Sequence, residues 1–139
     1  MDQPGASTID PAAARKLGAI PILSQLPFEL RKADRGEVEL KLPYQHAYDG
    51  IFDSLHGGLL MTLADTAACV AVLTMTGPDA MITTTDMNIR FLAACRSDAT
   101  ARTRIVKFGR SLVPVHVDLF DANGTLVAIC QVTYMRLRG

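Results

Sequence analysis

Aromatic residues are scarce in this chain, 6% of 139 positions against 49% apolar overall, so whatever core it builds must be aliphatic. Neither sign of charge is in excess: 14 basic and 14 acidic side chains cancel, and the basic footprint that nucleic acid demands is missing. Nucleic acid is therefore not an expected partner. Cysteine is sparse and odd in number. Cys69, Cys95 and Cys130 are widely spaced in apolar surroundings, which suits small core residues better than a disulfide framework and points to a reducing, cytosolic compartment. His46, His56 and His116 lack metal-ligand spacing and the cysteines do not supply it, so neither a metal nor another resident cofactor is expected. Residues 1–5 lack the basic start and apolar run of a signal peptide.

The length fits one domain spanning 1–139, large enough for a real core yet apt to gain from oligomerisation. Within it, 1–20 reads as an N-terminal extension. Positions 1–9 are small and polar and expected to be disordered, and 11–17 forms a short helix with Pro11 in its first turn. Apolar residues alternate over 28–31 and again at Val38, Leu40 and Leu42, with turn chemistry at 33–36, which predicts a hairpin with one wet face. A loop over 43–54 leads to a long apolar segment from about Gly57 to Thr76, closed by Gly77 and Pro78. Four strands are expected after it, near 80–92, 100–107, 112–120 and 126–137, the last two joined by the Asn123-Gly124 turn.

Residues 57–76 are nearly long enough to cross a membrane. The segment nevertheless carries Asp65 and several threonines, has no flanking basic cluster and precedes alternating strands, so it is read as a core helix, with no membrane partner. A helix apolar on nearly every side must be buried all round. With about six antiparallel strands, the simplest solution is an α+β fold, a curved sheet wrapped around one long helix, whose free edges favour pairing with a second copy. Asp65 is then the anomaly, the one charge between Gly58 and Met75. An unpaired buried carboxylate is costly, so the site must pair it, neutralise it or use it. Just ahead, Gly57 and Gly58 leave backbone N–H groups bare at the helix start, where the dipole favours negative charge.

His56-Gly57-Gly58 followed by Leu63-Ala64-Asp65, then Thr84-Thr85-Asp86-Met87-Asn88-Ile89, Gly109-Arg110-Ser111-Leu112 and the Asn123-Gly124 turn, resembles the hotdog-fold acyl-CoA thioesterases of the PaaI-like type over roughly 25–137. The resemblance implies a hotdog fold, a double-hotdog dimer often doubled into a tetramer, and hydrolysis of a coenzyme A thioester. It implies Asp65 as base or nucleophile, the Gly57 N–H as oxyanion donor from the other subunit, and Thr84 as the strand hydroxyl that orients water or steadies the carboxylate. Thr83 and Thr85 face away if the strand is regular. His56 could cap the helix, donate to substrate or hold the loop. One departure stands out: where the family commonly has Asn and Gly six and three residues before the His, this chain has Gly50 and Asp53, which leaves His46, Asp49 or Asp53 to reshape the pocket.

Eight residues separate Gly57 from Asp65 by about 12 Å along a helix and about 80° around it, so one chain cannot bring both to one carbonyl. The spacing itself argues for a composite site across a two-fold interface. Gly58 joins the anion cradle. Lys107, Gly109 and Arg110, with Arg90, Arg102 and Arg104, are candidates for the coenzyme A phosphates. His116 is expected to face solvent or a subunit contact. Leu59, Leu60, Met61 and Met75 are candidate lining for an aryl-acetyl or medium-chain acyl group. The rivals are a hydroxyacyl thioester dehydratase on the same fold, which calls for a His acting with an acid on the acyl chain, and a non-catalytic acyl-CoA-binding module, which would keep the pocket without requiring Asp65.

Overall fold

A computed structural model describes residues 8–138. The expectation for 1–9 falls mostly outside these residues, but Thr8 and Ile9 are ordered. Ile9 bridges in parallel to Ala33, with the Thr8 carbonyl accepting the Ala33 N–H at 2.8 Å. Asp10 then caps helix α1 (Pro11–Gly18), its Oδ1 accepting the Ala12 N–H at 3.0 Å, and Pro11 takes a first-turn position that needs no donor. A 3-10 turn, Pro21–Gln25, follows.

Strands β1 (Glu29–Asp34) and β2 (Glu37–Leu42) form the expected hairpin. Its two turn residues, Arg35 and Gly36, have φ of 49° and 82°, the mirror-turn geometry that matches strand twist. The chain continues through helix α2 (Gly57–Thr76) and strands β3 (Met81–Phe91), β4 (Ala99–Ile105), β5 (Leu112–Phe120) and β6 (Leu126–Arg138). β4 ends at Ile105, so Val106 and Lys107 belong to the following connection and not to the strand.

The six strands form one antiparallel sheet in the order β1-β2-β4-β5-β6-β3. Period-two alternation turns Leu40, Leu42, Val115, Val117 and Val132 inward to meet Leu63, Ala67, Val70 and Ala71 of α2, and all are buried. This is the hotdog arrangement, one long helix held by a curved sheet. α2 is long and apolar enough for a membrane span, yet the sheet buries more than half of it.

Burial is not complete all round, however. Gly58, Met61, Thr62, Asp65 and Cys69, spaced at helical intervals along α2, are only part-buried. That open stripe is where the site lies. The sheet edges also differ. β1 is partly covered by Thr8 and Ile9, whereas β3 offers 11 residues with no further strand beside them among the described residues.

Candidate active site

Asp65 sits mid-helix on the open stripe, and two hydroxyls reach it from the sheet. Thr84 Oγ1 and Tyr134 Oη both donate to Asp65 Oδ1 at 2.8 Å, and Tyr134 Oη also lies 3.1 Å from the Asp65 carbonyl. They converge because Thr84 of β3 and Tyr134 of β6 are direct cross-strand partners. Just after Thr84 the register slips, with Thr84 opposite Tyr134 but Asp86 opposite Thr133, so Thr85 is the extra residue of a bulge. The bulge resets the alternation: Ile82 and Thr84 are part-buried before it, Met87 and Ile89 after it, while Thr83 and Thr85 are exposed. Thr84 and Met87 thereby face α2 together.

The carboxylate lies at the polar end of an apolar cavity of about 490 Å³, walled by Ile20, Ile22, Leu23, Met61 and Met87. Of the expected lining residues, only Met61 is there. Leu60 lines a different cavity and Met75 is exposed at the helix end. The 3-10 turn Pro21–Gln25 supplies a wall that sequence patterning did not indicate. Burial, then the nearby Cys69 and Asp65, push the Tyr134 phenol far above its ordinary range, so it keeps its proton and acts as a donor. Burial also raises the Cys69 thiol, and raises Cys130 to about 11 with Asp65 as a further cause.

At the start of α2 the donors are almost all taken. His56 caps the helix: its Nδ1 accepts the Gly58 N–H at 2.9 Å, and its carbonyl accepts Leu59 and Leu60 at 2.9 and 3.3 Å. Gly58, expected in the anion cradle, therefore has no free donor. Gly57 does: its N–H has no partner among the described residues. A Cβ on Gly57 would stand 3.0 Å from Phe91 Cζ, so glycine permits the ring's close approach. Gly57 opens with Leu60 and Phe91 onto a second cavity of about 470 Å³, not onto the one that holds Asp65.

The remaining candidates are not gathered in one chain. Lys107 and Arg110 are exposed on the β4–β5 connection, and neither they nor Gly109 line either cavity. Gly109 has a structural reason to be glycine, since a Cβ there would run into the Leu112 carbonyl, and its own carbonyl accepts from Arg136 Nη1 at 3.2 Å. Arg102 is engaged by Glu39 at 2.9 Å and lies over the Phe120 ring. Half-buried His116 contacts Asp118 at 2.8 Å. Gly50 and Asp53, where the family commonly has Asn and Gly, lie in a tight turn in which the Gly50 N–H donates to the Ser54 carbonyl and Asp53 has φ 53°. No amide side chain is supplied there. Asp49 accepts from Tyr44 Oη at 2.6 Å through Oδ2, while its Oδ1 is buried without a partner.

Tyr134 was missed by sequence reasoning. Its signal was available: it continues the inward series Cys130 and Val132, and a buried tyrosine hydroxyl needs a polar partner.

Three comparisons bear on this arrangement. Residues 52–128 match the family model described as Thioesterase superfamily. A putative esterase of Halobacterium salinarum is 32% identical over 120 residues, covering 78% of this chain and 79% of the relative. Human acyl-coenzyme A thioesterase 13 is 30% identical over 117 residues, covering 82% of this chain and 77% of the relative. Among solved structures, the Escherichia coli PaaI protein of the phenylacetic acid degradation operon superposes with a TM-score of 0.84 at 19% identity, over 92% of each chain. At that identity the likeness is one of fold.

Proposed function

Because the chain belongs to the thioesterase superfamily of thioester hydrolases, on the hotdog fold it shares with PaaI, we propose that it cleaves acyl-coenzyme A thioesters at a site shared by two copies. The observation that carries this is the Asp65 carboxylate, steadied by Thr84 and Tyr134 at the polar end of an apolar cavity. An apolar acyl group fills such a cavity with its carbonyl towards the acid, which suits an aryl-acetyl or medium-chain acyl group. The name of the human relative supports coenzyme A as the thiol.

In this reading Asp65 takes a proton from water as the water oxygen bonds to the thioester carbon. The oxyanion that forms is held by the Gly57 N–H of the other copy, with the α2 dipole behind it. Collapse breaks the carbon–sulfur bond, and the proton passes from Asp65 to the departing thiolate, giving the free acid and coenzyme A. Direct attack by the carboxylate gives the same products through an anhydride that water then opens. Neither route uses a cofactor beyond the substrate itself. The unpaired edge of β3 supports a homodimer that continues the sheet, and two such dimers make a tetramer. Lys107, Gly109 and Arg110, exposed or nearly so, are then available to coenzyme A phosphates in a neighbouring subunit's site.

The dehydratase reading calls for a His acting with an acid on the acyl chain, and it is disfavoured because His56 does not line the cavity that holds Asp65. The test is thiol release from short, medium, long, phenylacetyl and hydroxybenzoyl coenzyme A esters by the wild type and Asp65→Asn. A fall of about a hundredfold, the scale of a positioned general base, is expected with fold and dimer retained. Equal turnover by both would remove Asp65 from the chemistry, and no turnover by either would point to the binding-module reading instead.

A further inference from the structure

Two donors on one carboxylate oxygen are an unequal treatment of the pair. Asp65 Oδ1 accepts from both Thr84 and Tyr134, whereas Oδ2 accepts from no described residue and is not among the sealed, unpartnered atoms. We infer that Tyr134 is a positioning residue that selects the reacting oxygen of Asp65: with Thr84 it engages Oδ1 and leaves Oδ2 free towards the cavity to act on the substrate or its water. The inference rests on the thioesterase reading of this site and adds to it a residue from the last strand.

The geometry is over-determined in a way that mere packing does not require. Tyr134 Oη also touches the Asp65 carbonyl at 3.1 Å, so one phenol spans the main chain and the side chain of the same residue and restricts the carboxylate's rotation. Its ring is buried between β6 and α2, its cross-strand partner is the other donor, and the bulge at Thr85 fixes that pairing. The titratable groups around Asp65 are Tyr134 and Cys130 on β6 and Cys69 on α2, with Lys16 of α1 acting on Cys69. Burial drives the phenol and both thiols upward, so all three stay neutral through the acid and neutral range. A change in the acidic limb of activity on altering Tyr134 therefore reports on the carboxylate.

The experiment measures kcat and KM against pH for the full chain, wild type and Tyr134→Phe, with Asp65→Asn as reference. The phenylalanine variant keeps the ring and removes the donor. It is expected to lower kcat about tenfold, with KM nearly unchanged, as fits a hydrogen bond to a charged group. Its acidic limb is expected to move to higher pH, because a donated hydroxyl favours the ionised carboxylate. A 3-fluorotyrosine at position 134, a stronger donor of nearly the same shape, is expected to move the limb the other way, and it decides the matter if the phenylalanine variant does not fold. A limb that stays put in both, or a loss of kcat without any movement, overturns the positioning role and leaves the Asp65 assignment standing, provided Asp65→Asn is inactive. An active Asp65→Asn overturns both.

Discussion

Gly57 and Asp65 share helix α2 but open onto different cavities: Gly57 faces Phe91 at the helix start, and Asp65 faces Met61 and Met87 two turns on. The free donor and the free carboxylate oxygen of one chain therefore cannot meet on one carbonyl. In the site we propose, two copies related by a two-fold axis resolve this, each lending its helix start to the other's carboxylate.

Removing the free donor should affect chemistry more than structure. Gly57 is the first helical residue, where proline is well tolerated, and His56 at ψ 131° has the extended backbone that proline requires of its predecessor. Gly57→Pro should lower kcat about a hundredfold, the cost of one oxyanion donor. Gly57→Ala, which keeps the N–H and adds the same contact with Phe91, should lose far less. Circular dichroism checks that both remain helical.

Thr84 offers a second test of the carboxylate's support. Thr84→Val keeps the shape and removes the hydroxyl that donates to Asp65 Oδ1, and should lower kcat about tenfold. Thr84→Ser should restore most of it. Steady-state turnover of one acyl-coenzyme A distinguishes the two.

The exposed cations of the β4–β5 connection make a separable prediction. If Lys107 and Arg110 meet coenzyme A phosphates, Lys107→Ala and Arg110→Ala should raise KM for coenzyme A esters and leave kcat near wild type. The same variants should treat a pantetheine thioester, which lacks the nucleotide, as the wild type does. An equal effect on both substrates would remove these residues from recognition.

Acid stability has an identifiable contributor. The Tyr44 N–H donated to Asp98 at 2.7 Å holds that carboxyl below its ordinary value, against a smaller opposing effect of burial and with help from Lys41 at 3.1 Å. A carboxyl depressed by folding contributes stability above its unfolded value, near pH 3.9, and loses it as pH falls through the lower folded value. Asp98→Asn should thus be less stable than wild type at pH 7, and the gap should close towards pH 3. Urea midpoints at the two pH values check this.

The strands and α2 were legible because each carries its own evidence. Val115, Val117 and Leu119 alternate with half-exposed partners, Gly77 ends the helix, and Asn123-Gly124 marks the final turn. Asp65 was legible as a charge where none belonged. Tyr134 was not singled out, because its meaning depends on which residue of β3 lies opposite, and the bulge at Thr85 makes that register unreadable from alternation alone. Gly58 looked like a free donor because nothing local indicates that His56 turns its Nδ1 back onto it. The open stripe of α2 was hidden for a similar reason: a uniformly apolar helix does not say which side the sheet leaves bare, and the Ile20–Leu23 wall comes from a distant stretch of chain.

The sharpest measurement is the turnover of a heterodimer purified through two different tags, one chain carrying Asp65→Asn and the other Gly57→Pro. Each homodimer should be nearly inactive. The mixed dimer joins the intact Gly57 of one chain to the intact Asp65 of the other, and should recover about half the wild-type rate, one working site of two. A mixed dimer no more active than its parents would place donor and carboxylate in separate functions, and would contradict a site shared between copies.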